Sequence, residues 1–150
     1  KEFYEIDLEN KEALSNIPHS AFDCIILSHV IEHIKNGEDV LLSLSLKLKK
    51  GGIIYLEFPS EHSIKLPSMR GTLNFYDDPT HVRLYKLDEI RSILKFNDFK
   101  IIRSGIRRSW KRIIFLPFYV LYSVYKLRFI SAYALWDIAG FASYILARKV

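Results

Sequence analysis

The chain has 150 residues, 49% of them hydrophobic and 14% aromatic, with a formal net charge of +5 and a pI near 9.3. That is one domain's worth of chain with enough apolar content for a core, and its modest positive excess favours anionic surfaces or substrates. A single cysteine, Cys24, excludes a disulfide framework within the chain and fits a reducing cytoplasm.

Residues 1–5 show no signal-peptide pattern and no methionine start, so upstream sequence is expected to be missing. Residues 3–6 read as a short strand that ends at Asp7, and residues 10–16 as a short polar helix or loop. Pro18 then leads into the next strand, with His19 exposed beside it.

Residues 22–34, FDCIILSHVIEHI, are the organising stretch. The apolar run Cys24, Ile25, Ile26, Leu27 is too short for a helix and reads as a buried strand, with Cys24 as a small core residue. Ser28, His29, Glu32 and His33 follow at once. In an open parallel sheet, ligands bind just past the carboxyl ends of strands, so these polar residues fall where a site belongs. Ser28 is placed to accept amide bonds from a following helix. His29 is read as a site residue, with a structural role as the alternative, whereas His33 favours the structural role.

Residues 34–50 are ambiguous. Leu42, Leu44, Leu46 and Leu48 alternate as in a strand, yet Val40, Leu41, Leu44 and Leu48 also share one helical face. Leucine and lysine content favours helix, with Gly51 and Gly52 as its stop. Residues 52–58, GIIYLEF, read as a second buried strand, with His62 just past its carboxyl end. Two parallel strands joined by a helix form a right-handed unit, which sets Ser28 and His29 on the same rim as residues 57–62.

Residues 63–88 have little periodicity and read as a long functional loop. Within it lies NFYDDPTHVRLY, residues 74–85. His81 is the general-base candidate, because imidazole takes a hydroxyl proton near neutral pH. Arg83 is suited to a two-pronged contact with a carboxylate or phosphate. Alternatively, Asp78, His81 and Arg83 simply tie the loop together. Residues 86–97 read as a helix burying Leu87, Ile90, Ile93 and Leu94, and residues 99–103 as a strand.

A basic cluster follows, with Arg107, Arg108, Lys111 and Arg112 around Trp110, read as a solvated or lipid-facing patch rather than a nucleic-acid site. Residues 113–125 and 129–142 are apolar runs separated by Lys126 and Arg128. The first is too short to span a bilayer. Three readings stand: a cap over the active site, an interfacial membrane anchor, and a homodimer surface. Residues 143–147 read as a final strand.

The stretch 22–34 resembles the fourth-strand motif of the Rossmann-like (class I) S-adenosylmethionine-dependent methyltransferases, FD-x-(apolar run)-(S/x)-H-V-(L/I)-E-H-(I/V). The turn at residues 48–52 is similar to that family's LK-x-GG, and residues 78–85 to its DP-T-H-(V/x)-R-x-(Y/F). The resemblance implies an α/β fold: a three-layer Rossmann-like sheet, incomplete at its N-terminal side. An apolar helical insertion at residues 106–142 precedes a last antiparallel strand. It implies S-adenosylmethionine as cofactor, with Asp7 on the adenine amino group, Leu8 against the adenine ring, and Ser28 and His29 on the methionine side. His62, Arg83 and Tyr85 would face the acceptor, a small metabolite or glycan precursor methylated on oxygen or nitrogen, and no metal ligands are implied. The chain departs from the family in two respects: none of its six glycines forms a G-x-G turn, and the acidic ribose ligand has no counterpart. The resemblance therefore starts at the third strand. The expected setting is the cytoplasm, peripheral to the inner face of the membrane. The competing expectation is a non-catalytic module that docks to a membrane or partner through residues 110–141.

Overall fold

The computed structural model describes residues 5–150. Four strands form one sheet in the order β1-β2-β4-β3, with β1 Phe22–Ser28, β2 Leu48–Pro59, β3 Phe99–Ile106 and β4 Ala142–Lys149. β1 and β2 are parallel, and β4 runs antiparallel between β2 and β3. The α/β fold and the inserted antiparallel last strand are thus as expected. The expected strand over residues 3–6 lies largely outside the described residues, and Glu5–Asp7 carry no regular structure.

Helix α1 is Lys11–Ser15, α2 is Gly37–Lys47 and α3 is Leu87–Phe96. One core packs Val40, Leu41 and Leu44 of α2 and Ile90 and Leu94 of α3 against Ile54, Leu56, Ile145 and Ala147 of the central strands. This settles the ambiguity of residues 34–50 in favour of helix. Leu42 and Leu46, which completed the alternation, are exposed. The helix nevertheless ends before its glycines. Leu48 is already extended, and Gly51 and Gly52 lie inside β2, where the pairing with β1 slips between Phe22 and Cys24. Gly51 adopts φ +78°, a conformation glycine reaches without strain. A Cβ on Gly52 would come within 2.8 Å of the Lys49 carbonyl.

β1 is less buried than its apolar run suggests. It closes the described sheet on one side and has a strand neighbour only in β2. Leu27 faces the core, whereas Cys24 and Ile26 are exposed, which corrects the reading of Cys24 as a core residue. No helix starts at Ser28 either. His29 turns left-handed (φ 53°), its amide donates to the Glu57 carbonyl at 2.8 Å, and only the short 3-10 turn Ile31–His33 follows. Ser28 is therefore exposed and caps nothing.

The segment between β2 and α3 is built rather than slack. Two 3-10 turns, Glu61–Lys65 and Phe75–Asp77, punctuate it. The Asp77 carboxylate accepts amide bonds from Met69, Leu73 and Asn74, at 3.0, 3.0 and 2.8 Å. Tyr85 anchors its far end. This side chain is 1% exposed, and its hydroxyl donates to the Ile34 carbonyl and accepts the Gly37 amide. Gly37 has to lack a side chain, since a Cβ there would lie 2.3 Å from that hydroxyl.

Between β3 and β4 come α4 Trp110–Ile114, α5 Leu116–Leu127 and α6 Ala132–Ala139. A small second core of Leu73, Ala132, Phe141 and Ala142 holds α6 to the loop. Among the described residues, no helix is long and apolar enough to cross a membrane.

Candidate active site

The carboxyl ends of β1 and β2 lie side by side, with Ser28 paired to Glu57. Next to them opens a groove of about 390 Å³ lined by Asp7, Leu8, His29, Val30 and His33. Three residues expected to hold one ligand, Asp7, Leu8 and His29, thus line one groove. Asp7 is exposed, and its Oδ1 accepts the Glu9 amide at 2.9 Å, which fixes the carboxylate while leaving lone pairs free. Ser28 sits exposed at the last position of β1, beside the groove.

His29 is the centre of a charge network that the sequence did not disclose. Its Nδ1 is 3.0 Å from Glu32 Oε1, and its Nε2 is 3.3 Å from Glu57 Oε1. The ring packs beside Trp136 and Phe141, which stack on each other at 4.5 Å, at centroid distances of 5.0 and 6.0 Å. Burial pushes the imidazole pKa down, but the hydrogen bonds and charges of Glu32 and Glu57 outweigh it and raise the value to about 9. His29 is therefore an imidazolium at neutral pH, with Nδ1 hydrogen-bonded to Glu32 and the buried Nε2 at ion-pair distance from Glu57 without hydrogen-bond geometry.

Burial raises the Glu57 pKa, and hydrogen bonds from His29 and Tyr55 and the Arg107 charge more than reverse this, so Glu57 stays ionised. Its Oε2 accepts the Tyr55 hydroxyl at 2.6 Å and faces Arg107 Nε at 3.3 Å. Arg107 continues to Asp137, which also pairs with Arg112 Nε at 3.2 Å. Two members of the basic cluster are thus turned inward, which corrects their reading as a solvated or lipid-facing patch. Arg108 and Lys111 remain exposed. The signals missed were Glu57, the one charge in GIIYLEF, and Asp137, the one acid in the apolar run at 129–142.

His81 lies across the rim. Its Nδ1 is 2.6 Å from the Phe75 carbonyl, an acceptor only, so Nδ1 carries a proton, and in the neutral ring the lone pair is on Nε2. The ring stacks on Phe75 at 4.7 Å and stands 4.9 Å from His33. Arg83 is not available as an anion clamp. Its guanidinium is engaged by Glu89, Glu38 and the Lys35 carbonyl, and it stacks on Tyr85. Tyr85, bound to backbone inside the core, supports the rim from beneath instead of facing an acceptor. His62 is exposed on the 3-10 turn Glu61–Lys65.

A larger cavity, about 540 Å³, opens on the sheet between Tyr55, Arg103, Arg107, Trp110 and Tyr144. Two of its walls, Tyr55 and Arg107, contact Glu57, and Asp7, Leu8 and His81 are not among its walls.

A groove past the carboxyl ends of parallel strands, with an acidic and an apolar residue on one wall, defines an α/β domain of the kind that binds nucleotide-like ligands. Residues 1–104 match the family model described as methyltransferase domain, and the chain belongs to that family. No curated protein matches it. Among solved structures, an S-adenosylmethionine-dependent methyltransferase from Archaeoglobus fulgidus has a TM-score of 0.62 at 19% identity, over 97% of this chain and 66% of that one. Another from Mesorhizobium loti also has a TM-score of 0.62, at 12% identity, over 96% of this chain and 67% of that one. At these identities the likeness is one of fold, and the chain spans about two thirds of the length of either structure.

Proposed function

We propose that this chain contributes the adenine side and the acceptor side of an S-adenosylmethionine-dependent methyl-transfer site. The observation that carries the reading is the shared groove of Asp7, Leu8 and His29, residues that only the fold brings together. The residues fit the adenosyl end of the cofactor. Asp7 offers an exposed acceptor for an exocyclic amino group, and Leu8 a half-buried apolar face for the ring. For the methionine end, the sequence supplies Ser28 and the His29 ring edge, and no G-x-G turn.

When bound, the cofactor supplies a methyl group already activated by its sulfonium. The chain's residues then have to position the acceptor and take its proton. The second task falls in this reading to His81, whose Nε2 lies 3.9 Å from Asp78 Oδ2. An open, polar rim suits a small metabolite or glycan-type acceptor with an oxygen or nitrogen nucleophile.

Calorimetric titration with S-adenosylhomocysteine tests this reading. Asp7→Ala is expected to weaken binding about tenfold, the loss of one hydrogen bond to a charged group. Equal affinity in the variant, or no saturable binding by the unmodified chain, overturns the assignment.

A second reading has its own observation. On α4 and α5, Ile114, Phe118, Leu121 and Tyr125 follow helical spacing and are each at least 67% exposed, with Trp110 beside them. Exposed Arg108, Lys111, Lys126 and Arg128 flank this stripe, a pattern suited to the surface of an anionic membrane. The chain should sediment with phosphatidylserine vesicles and fail to do so when Phe118 and Leu121 are both changed to Glu. Absence of vesicle binding, together with a concentration-dependent dimer that the same pair of changes dissolves, would make the stripe a homodimer surface instead.

A further inference from the structure

We propose that Glu32, His33 and His81 form a binding site for a divalent transition-metal cation. Each of the three places one ligand atom within 4.8 Å of the other two, a spacing that one cation can bridge. The inference rests on reading this rim as the acceptor side, and it changes what His81 does there.

Both imidazoles are held in the tautomer a metal requires. His33 Nδ1 is 3.1 Å from the Thr80 carbonyl and 3.0 Å from the Thr80 hydroxyl. That hydroxyl donates to Asp78 Oδ1 at 2.5 Å, so toward His33 it can only accept. Nδ1 of His33 is therefore the donor, as is Nδ1 of His81 toward the Phe75 carbonyl. Each ring is left with a lone pair on Nε2. Metal-bound histidines characteristically give their second nitrogen to a carbonyl or carboxylate in this way, which fixes the ring and raises its basicity.

The third ligand is a buried carboxylate with half its capacity unused. Glu32 is 1% exposed. Oε1 takes the bond from His29, whereas Oε2 is buried and has no hydrogen-bond partner among the described residues. A buried carboxylate oxygen left without a partner is costly, and a cation removes that cost. The backbone fixes the arrangement, because the Val82 and Arg83 amides both donate to the Glu32 carbonyl, at 2.9 and 3.2 Å. The loop carrying His81 is thereby pinned to the turn carrying Glu32 and His33. Asp78 Oδ2, 3.9 Å from His81 Nε2, adds negative charge beside the pair of rings.

The donor set selects the cation. Two imidazoles and one carboxylate suit manganese, iron, cobalt or zinc, whereas magnesium and calcium prefer oxygen ligands throughout. Three protein ligands also leave coordination positions open. An acceptor oxygen could occupy one of them, and the cation would then lower its pKa, with His81 serving as a ligand rather than a base.

The test is a Co²⁺ titration of the chelator-stripped 150-residue chain without cofactor, read by visible ligand-field absorption. Saturation near one equivalent is expected, displaced by Zn²⁺ and not by Mg²⁺. Glu32→Gln, His33→Gln and His81→Gln should each weaken binding at least about tenfold, and His19→Gln, at an exposed histidine, should not. Folding of each variant is checked by circular dichroism. His33→Gln keeps the test decisive if the buried Glu32→Gln does not fold. A spectrum that stays that of hydrated Co²⁺, or saturable binding that survives both histidine changes, overturns the site. Because no cofactor is present, this outcome is independent of S-adenosylhomocysteine binding.

Discussion

Asp137→Ala is expected to destabilise the chain by about 3 kcal/mol, the lower part of the range for breaking a buried ion pair. Asp137 is 2% exposed and sits on α6, in the apolar run that joins the insertion to β4. Its Oδ1 accepts the Ser109 amide at 2.6 Å and Arg107 Nη1 at 3.1 Å, and its Oδ2 lies 3.2 Å from Arg112 Nε. Alanine would leave an amide and two guanidinium groups without their acceptor at a position where the carboxylate is 2% exposed. Each arginine keeps about 30% of its side chain in solvent and a second acceptor, Glu57 for Arg107 and the Tyr133 carbonyl for Arg112. Those contacts hold the loss below the upper limit for a sealed pair. The effect should reach the site, since Arg107 connects Asp137 to Glu57 and so to His29. Urea denaturation followed by tryptophan fluorescence reads both consequences, because Trp136 packs against His29 and Trp110 begins α4. Arg108→Ala, at an exposed member of the same cluster, should change stability by less than about 0.5 kcal/mol. A loss below about 1 kcal/mol for Asp137→Ala would show that the network does not hold the insertion in place.

What the sequence disclosed and what it concealed follow a physical division. Order along the chain was legible. Strand, helix, strand and the returning last strand follow from apolar runs punctuated by glycine and proline, and the polar residues after β1 lie on the rim because strand ends are where side chains turn outward. Local pattern also identified α3, whereas α2 was legible only from its leucine and lysine content. Boundaries were less legible, because the Gly51–Gly52 pair serves a bulge inside β2 and not a helix stop, and only the pairing partner decides between the two. Burial of β1 depends on how many strands flank it, which no local run encodes. The charge network was the least legible. Its members, Glu32, Glu57, Arg107 and Asp137, are far apart in sequence, and each alone looks like an ordinary surface charge. Arg83 shows the converse: its neighbourhood in the motif suggested an anion clamp, and the fold gives its donors to Glu38 and Glu89. The exception to this concealment is a general one: a charge inside an apolar run, as at Glu57 and Asp137, has to find a partner on burial.

Stability of the chain in chelator is expected to fall as pH rises from about 6.5 to about 9, through loss of the His29 proton. In the folded chain the His29 pKa is about 9, against 6.5 when unfolded. The folded state therefore binds this proton more tightly than the unfolded state does. Its contribution is complete below about pH 6.5, declines across the window and is gone above about pH 9. A shift of that size corresponds to a contribution of order 3 kcal/mol, at about 1.4 kcal/mol per pH unit. The charges that face the ring are Glu32 from the 3-10 turn and Glu57 from β2, with Arg107 and Tyr55 behind Glu57, while Trp136 and Phe141 close it off. Losing the proton leaves two carboxylates against a neutral ring that can donate to only one of them. His29→Asn is the informative variant, because asparagine tolerates the left-handed backbone at this position and carries no titrating group. It should be less stable than the unmodified chain at pH 6 and show a flatter profile to pH 9. The imidazole proton resonance of His29 reads the cause directly. A titration midpoint near 9 is the expected result, and a midpoint near 6.5 would mean that Glu32 and Glu57 do not hold this ring as an imidazolium at the mouth of the groove.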